Sequence, residues 1–434
     1  MSEHSTDRES SAGEEGASPA ASIKYTKLTP AEALARLRSG RLLENVCVEK
    51  LAFTGEMPAQ VRMKHCHLIK PRFESVTFKA EVQFQDCTIE RPHMSHEVVF
   101  ESDLSLQQST LVGVQFTKIT VRGKFIATGM QSRGQLAFLG CRFEGGVSFW
   151  DATFHNWVSF KRSVFVQEAD FRSVHAHKGL SYADCRFEGT ALFRGTAVTQ
   201  KFDLGNSHVE KLLDLSRGKF NDYVYLEGIS QGNDQQFAFE NTIGERMLVT
   251  PAQLQGRLAS EAQGHHAQAM QEYAYLKRSF ASLHRYDEED WAFYRFKVNQ
   301  RRSRDRSWLR PWTRVAQFFD WCFLDMGCGY GANPMRAVRA ALVIMLGFAL
   351  VYMFWIEHFY IDEAKRPFPD QPLTSWANRI MVGTTVSVSV FTSGIGGIKE
   401  LARDWMNIPL IVESLLGTLL WGLFIVSFSR KVIR

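Results

Sequence analysis

Thr392, Ser393, Gly394, Ile395 and Gly396 are the residues best placed to do chemistry, and what they offer is backbone rather than side chain. Glycine reaches backbone angles closed to other residues, so Gly394 and Gly396 can turn successive carbonyl oxygens toward one side. A row of such oxygens can replace the hydration shell of a cation. An apolar run from Ala340 to Ile356 precedes the stretch and another from Pro409 to Phe428 follows it. Each approaches the roughly 17 to 25 residues that cross a bilayer core. Between them Trp376 to Phe391 is mostly apolar and small enough to enter a membrane, yet the glycines beyond it cannot face lipid with open backbone groups. Backbone exposed there must line water.

No other residues assemble a reaction. The chain has no nucleophile, base and acid set, and no paired carboxylates in a supporting context, so an enzyme is not expected. Met326-Gly327-Cys328-Gly329-Tyr330-Gly331 lacks the Lys-Ser/Thr that must follow a phosphate loop and reads as a hinge. His65 with His67 and His175 with His177 have ligand chemistry for zinc or copper. As isolated pairs on a surface coil they read as solvated, and no metal or resident cofactor is expected.

Thr392-Ser393-Gly394-Ile395-Gly396 resembles the filter of pore-loop potassium channels, Thr-Val-Gly-Tyr-Gly, with the threonine and both glycines in register. The resemblance implies an oligomeric channel for a monovalent cation, K+ in the family, built as a homotetramer. Ser393 replaces the family valine, Ile395 its aromatic brace, and Gly397 the acidic residue that follows. Cation conduction is therefore implied more strongly than strict potassium selectivity. The other reading is a small-residue turn between two membrane helices, which gives a non-conducting anchored scaffold that binds partners.

The second run carries Glu413, Gly417 and Gly422. An ionisable group inside a membrane helix is a functional candidate, and Glu413, near the outer end, is expected to brace the segment before the filter. Of the two glycines, one is expected to pack closely against a neighbour and the other to serve as a gating hinge. Their sequence does not say which is which. Arg336 and Arg339 precede the first run, and Arg430, Lys431 and Arg434 follow the second, so the positive-inside rule places both chain ends in the cytoplasm of a multi-pass inner (plasma) membrane protein. A basic tract that includes Arg301, Arg302, Arg304, Arg306 and Arg310 lies just ahead, and each such charge is drawn to anionic lipid by about 1 kcal/mol near the surface. Membrane lipid rather than nucleic acid is the expected partner. An amphipathic piece from Pro311, with Trp312, Val315, Phe318, Phe319, Cys322 and Phe323, suits the interface.

Most of the chain lies upstream of this unit. Its 434 residues are 45% hydrophobic with a formal charge of +5, too modest for a nucleic-acid binder. Residues 1–28, rich in Ser, Glu, Ala and Gly and without an apolar signal segment, read as a disordered tail. Thr29-Pro30-Ala31-Glu32 reads as a capping box opening a segment, 29–60, that covers the next domain. Phe138, Phe143, Phe149, Phe154, Phe160, Phe165 and Phe171 follow in steps alternating between five and six, and the beat continues through Ala176, Tyr182, Phe187 and Phe193 as far as Leu226. Upstream, Phe73, Phe78, Phe84 and Ile89 keep the same beat, as do Phe100, Leu106, Leu111 and Phe116, and a stretch near Arg122 to Arg133 breaks it.

Neither a strand period of two nor a helical period of 3.6 gives that rhythm. A short repeat with one inward residue per face means a solenoid. Small or apolar residues such as Cys141, Val147, Ala152, Val158, Ser163, Ala169, Cys185 and Ala191 sit two positions earlier and also point inward. The pattern resembles pentapeptide-repeat proteins, which implies a right-handed β-helix with four faces per coil over residues 61–245. Cys66, Cys87, Cys141 and Cys185 are then core filler. Acidic and basic residues nearly balance across the repeat, which disfavours mimicry of DNA. The expected fold is thus mixed: a β-helix, a helical linker over 250–310 with Met270, Tyr273, Leu276 and Phe280 on one apolar face and a turn at Leu283–Asp290, an interfacial helix and hinge over 311–332, and a two-span pore unit over 333–434. The β-helix is expected to serve regulation or assembly through a ligand or protein the sequence does not identify.

Overall fold

The structure is a computed structural model that describes residues 25–304, 311–359, 368, 372–393 and 402–432. Helix α1 (Pro30–Arg38) opens as its sequence indicates: the Glu32 N–H donates to Thr29 Oγ1 and the Thr29 N–H donates to the Glu32 carboxylate, both at 3.3 Å. Ala33 and Leu37, one turn apart, are buried and close the first coil of a parallel β-solenoid. One column of that solenoid holds ten strands, one per turn.

From Leu136 to Val224 each residue registers with the one 22 positions on: Leu136 with Val158, then Leu180, Phe202 and Val224. A coil has four short strands, for example Val158–Ser159, Val164–Phe165, Ala169–Asp170 and His175–Ala176. The alternating five and six steps are the four sides of this 22-residue coil. Every aromatic or aliphatic residue on the beat is buried. Because equivalent positions lie one strand spacing apart, rings stack along the axis. Phe138, Phe160 and Tyr182 follow at 4.7 and 4.9 Å with planes within 6°.

Small polar residues facing inward complete the backbone bonding of the coil before. Ser163 Oγ donates to the Phe138 carbonyl (3.2 Å), Cys185 Sγ to that of Phe160 (2.7 Å) and Ser207 Oγ to that of Tyr182 (2.6 Å). Cys66, Cys87, Cys141 and Cys185 are all buried, as core filler should be. Burial pushes the Cys141 thiol up to about 11 and the Cys185 thiol up to about 12, which leaves both unreactive at neutral pH.

Alternate corners turn through left-handed residues. Gly129, Gly140, Asp151, Arg162, Ser173, Asp184, Gly195, Asn206, Arg217 and Gly228 stand eleven apart, with φ between 55° and 79°. Only four of these ten are glycine, so residue type does not mark the corner.

The first coils differ from the expected four faces. Strands Arg72–Phe78, His93–Phe100, Thr110–Thr117 and Gln131–Leu139 are long, and register shifts between Ser95 and Val98 and between Val112 and Val114 replace a full corner with a bulge. At Gln131–Leu139 the strand divides its pairing, the first residues to Thr153–Phe154 and the later ones to Val158–Ser159. The coil passes there from three sides to four, beside the irregular stretch in the beat. Coiling also begins at Leu43 rather than Val61, because Val46, Val48, Phe53 and Met57 already bury one side chain per strand face.

Short helices α2 (Pro251–Leu254) and α3 (Ala259–Ala262) lead into an antiparallel pair, α4 (His266–Ser282) and α5 (Tyr286–Ser303). Helix α4 seals the last coil: the Met247 N–H donates to Ser279 Oγ (2.9 Å), and Tyr273, Leu276 and Phe280 are buried. The turn is shorter than expected, Leu283–Arg285. Asp287, Glu288 and Glu289 start α5 early by placing negative charge on its N-terminal turn.

Helix α6 (Pro311–Phe319) runs into a π-helical segment, Asp320–Gly327. Gly329, Tyr330 and Gly331 then all take positive φ and turn the chain sharply. Helices α7 (Pro334–Phe354), α8 (Trp376–Ser393) and α9 (Asn407–Val432) follow. Both α7 and α9 are long and apolar enough to cross a membrane. They run antiparallel, since Tyr352 meets Glu413 at one end while Gly331 lies beside Ser427 at the other.

Candidate functional site

Glu413 is buried where all three helices meet. Tyr352 of α7 donates its hydroxyl to Oε2 at 2.6 Å, and Ser387 of α8 donates to Oε1 while lying 2.9 Å from the Met345 carbonyl oxygen. The carboxylate thus ties α8 and α7 to α9.

The two glycines of α9 separate cleanly. A Cβ on Gly417 would lie 2.5 Å from the Phe391 carbonyl oxygen, whereas one on Gly422 would meet nothing within 4 Å. Gly417 is therefore the packing glycine. A third close approach, Gly383 of α8 against the Ala349 carbonyl (2.9 Å to an added Cβ), was not singled out in the sequence. Its signal was the lone glycine of an 18-residue helix in which eight residues are β-branched.

Helix α8 lies along α7 from Gly383 beside Met353, through Ser387 beside Met345, to Phe391 and Thr392, which share an apolar cavity of about 210 Å³ with Ala337, Ala341 and Leu342. Eighteen residues make about 27 Å of helix. Thr392 and Ser393 close this helix rather than opening the loop, because Thr392 Oγ1 donates back to the Val388 carbonyl at 2.7 Å and holds the last turn. Gly394, Ile395 and Gly396 lie outside the described residues.

The other end of the spans is a polar joint. Asp325 of the π-helical segment is buried and accepts from Arg301 (2.7 Å) and from the Tyr294 hydroxyl (2.7 Å), with Arg336 at 3.7 Å and its guanidinium over the Tyr294 ring. Arg304 pairs with Asp320. Two arginines expected to meet lipid headgroups therefore bind acids of their own chain; Arg302 is exposed, and Arg306 and Arg310 lie outside the described residues. Arg430 reaches Asp290 at 3.2 Å and covers the Phe293 ring, and Lys431 reaches Asp287 at 3.3 Å. The hairpin that seals the solenoid thus touches the turn before α7 and the last turn of α9.

Among the described residues no group of three or more His, Cys, Asp or Glu could hold a metal ion. His67 instead pairs with Glu90 (2.9 Å), and His177 stacks on His155. No family model matches the chain, and no curated protein is significantly similar to it.

Proposed function

We propose that this chain forms an oligomeric channel for monovalent cations, with the solenoid as a cytoplasmic regulatory or assembly domain. The observation that supports it is α8, wedged between two antiparallel apolar helices by Glu413 and Gly417 and followed directly in the sequence by Gly394, Ile395 and Gly396. One chain supplies one strand of carbonyls, and a closed ring of four copies would complete the cage on an axis. The antiparallel α7 and α9 put the solenoid and Arg430–Lys431 on one side, which suits a cytoplasmic face for both. Movement of the solenoid would reach the spans through Asp325 and Asp290.

Uptake of rubidium by liposomes holding the purified full chain tests this reading. The expected result is flux in the parent, none in Gly394→Ala or Gly396→Ala at unchanged assembly, and a higher potassium over sodium preference in Ile395→Tyr. Absence of flux in the parent, or equal flux in the glycine variants, leaves the chain a membrane scaffold.

A further inference from the structure

Successive coils of the solenoid gather arginine and tryptophan at one corner that the channel reading does not use. Strand register aligns Ser148 with Asp170, Asp170 with Leu192 and Leu192 with Asp214. Trp150, Arg172 and Arg194, each two residues further on, therefore follow one another along one edge, about 4.8 Å apart per coil. With Ser173, Gly195 and Arg217 they line an open cleft of about 400 Å³. Trp150 is 52% exposed, whereas the neighbouring Trp157 is half-buried and its ring fills the space a side chain on Gly179 would need.

The charges in this cleft are unequal. Asp170 clamps Arg172 through two bonds, at 2.9 and 2.8 Å. One coil on, Leu192 stands in register with Asp170, so Arg194 has no such clamp. Asp214, a further coil along, accepts from the Ser216 N–H at 2.9 Å. Arg194 and Arg217 make no ion pair with any of the described residues. Like charges held on adjacent strands repel, and a multivalent anion between them reverses that repulsion. Guanidinium forks match phosphate oxygens in pairs, and an indole face stacks on a planar base.

We propose that this cleft binds a nucleoside phosphate, with Trp150 against the base and Arg194 and Arg217 on the phosphates. The site belongs to the solenoid alone and stands or falls separately from conduction. Calorimetric titration of the full chain in detergent with ATP, and in parallel with inorganic pyrophosphate, tests it. The expected result is saturable ATP binding that weakens at least about tenfold, or 1.4 kcal/mol, in Arg194→Gln and in Trp150→Leu. Pyrophosphate, having no base, should weaken in Arg194→Gln and stay unchanged in Trp150→Leu. Arg217→Gln provides a second cation variant on an exposed side chain, read with the far-ultraviolet circular dichroism of the solenoid as a check on folding. No binding of ATP at millimolar concentration overturns the proposal, as does ATP binding indifferent to Arg194→Gln in a folded protein. Identical behaviour of ATP and pyrophosphate in Trp150→Leu overturns the assignment to a nucleoside.

Discussion

Gly417 and Phe391 touch backbone to backbone: the carbonyl oxygen of Phe391 occupies the space that any side chain at 417 would enter, 2.5 Å from its Cβ. Gly417→Ala must separate α8 from α9, and overpacking of this kind costs about 1–3 kcal/mol. Gly422→Ala meets open space and should leave melting unchanged. Thermal unfolding of the detergent-solubilised protein compares them. A Gly422→Ala variant that melts like the parent but changes ion flux would make Gly422 the hinge; equal melting of both variants would contradict the packing described.

Removing the Glu413 carboxylate leaves the buried Tyr352 hydroxyl without its acceptor, whereas Ser387 keeps the Met345 carbonyl. An orphaned buried hydroxyl costs about 1–3 kcal/mol. Glu413→Ala should therefore melt well below the parent, and adding Tyr352→Phe to it should recover part of the loss. Glu413→Gln, which retains a carbonyl acceptor, should lie between. Recovery in the double variant is the decisive reading, since a purely steric defect at 413 would not respond to Tyr352.

The two ion pairs at the end of α9 should differ in strength. Arg430 and Asp290 are mostly buried, while Asp287 opposite Lys431 is exposed. A double-mutant cycle on Arg430→Gln and Asp290→Asn should give a coupling of about 0.5–3 kcal/mol, and one on Lys431→Gln and Asp287→Asn about 0–1 kcal/mol. Amide hydrogen exchange in the last turn of α9 should quicken only in the first set. Equal exchange in both would mean that Asp290 does not hold the helix.

Glu272 of α4 is buried where the hairpin meets the last coil, accepting from Ser260 Oγ (2.8 Å). Burial pushes its carboxyl up to about 7, against a smaller opposing effect of the Ser260 bond. A folded value above the unfolded 4.5 means that the folded chain binds the extra proton between these pH values. This group's contribution is thus most favourable below about pH 4.5 and is lost as pH rises through about 7. Glu272→Gln should flatten that part of the stability profile and unfold at higher denaturant concentration at pH 8. A parent profile already flat between those values would show that Glu272 is ionised in place.

The solenoid was legible because each inward side chain sits on a fixed beat, and Phe160 or Tyr182 can be placed by counting. Its start was not, since Val46 and Phe53 alternate in the manner of any strand. The three-sided coils escaped notice because a bulge at Ser95–Val98 leaves the apolar count intact while removing a corner. Thr29 and Glu32 announced their cap by chemistry confined to four residues. Arg301 and Arg304 misled because their acids, Asp325 and Asp320, lie 24 and 16 residues further along, and charge alone does not reveal a partner so distant in the chain. For Gly417 and Gly422 the deciding fact is a neighbouring backbone, which composition does not encode.

Left-handed corners at every eleventh residue make the solenoid a graduated rule. Excising residues 163–184 would join Arg162 to Cys185 with each column still aligned, and the rod would shorten by one strand spacing, about 4.8 Å. Excising eleven would instead rotate everything downstream by half a coil, laying the Val158 column over the Ala169 column and swinging the hairpin to the opposite side. Evolution or engineering can therefore lengthen or shorten the rod in whole graduations of 22 while the helices at its end keep their heading.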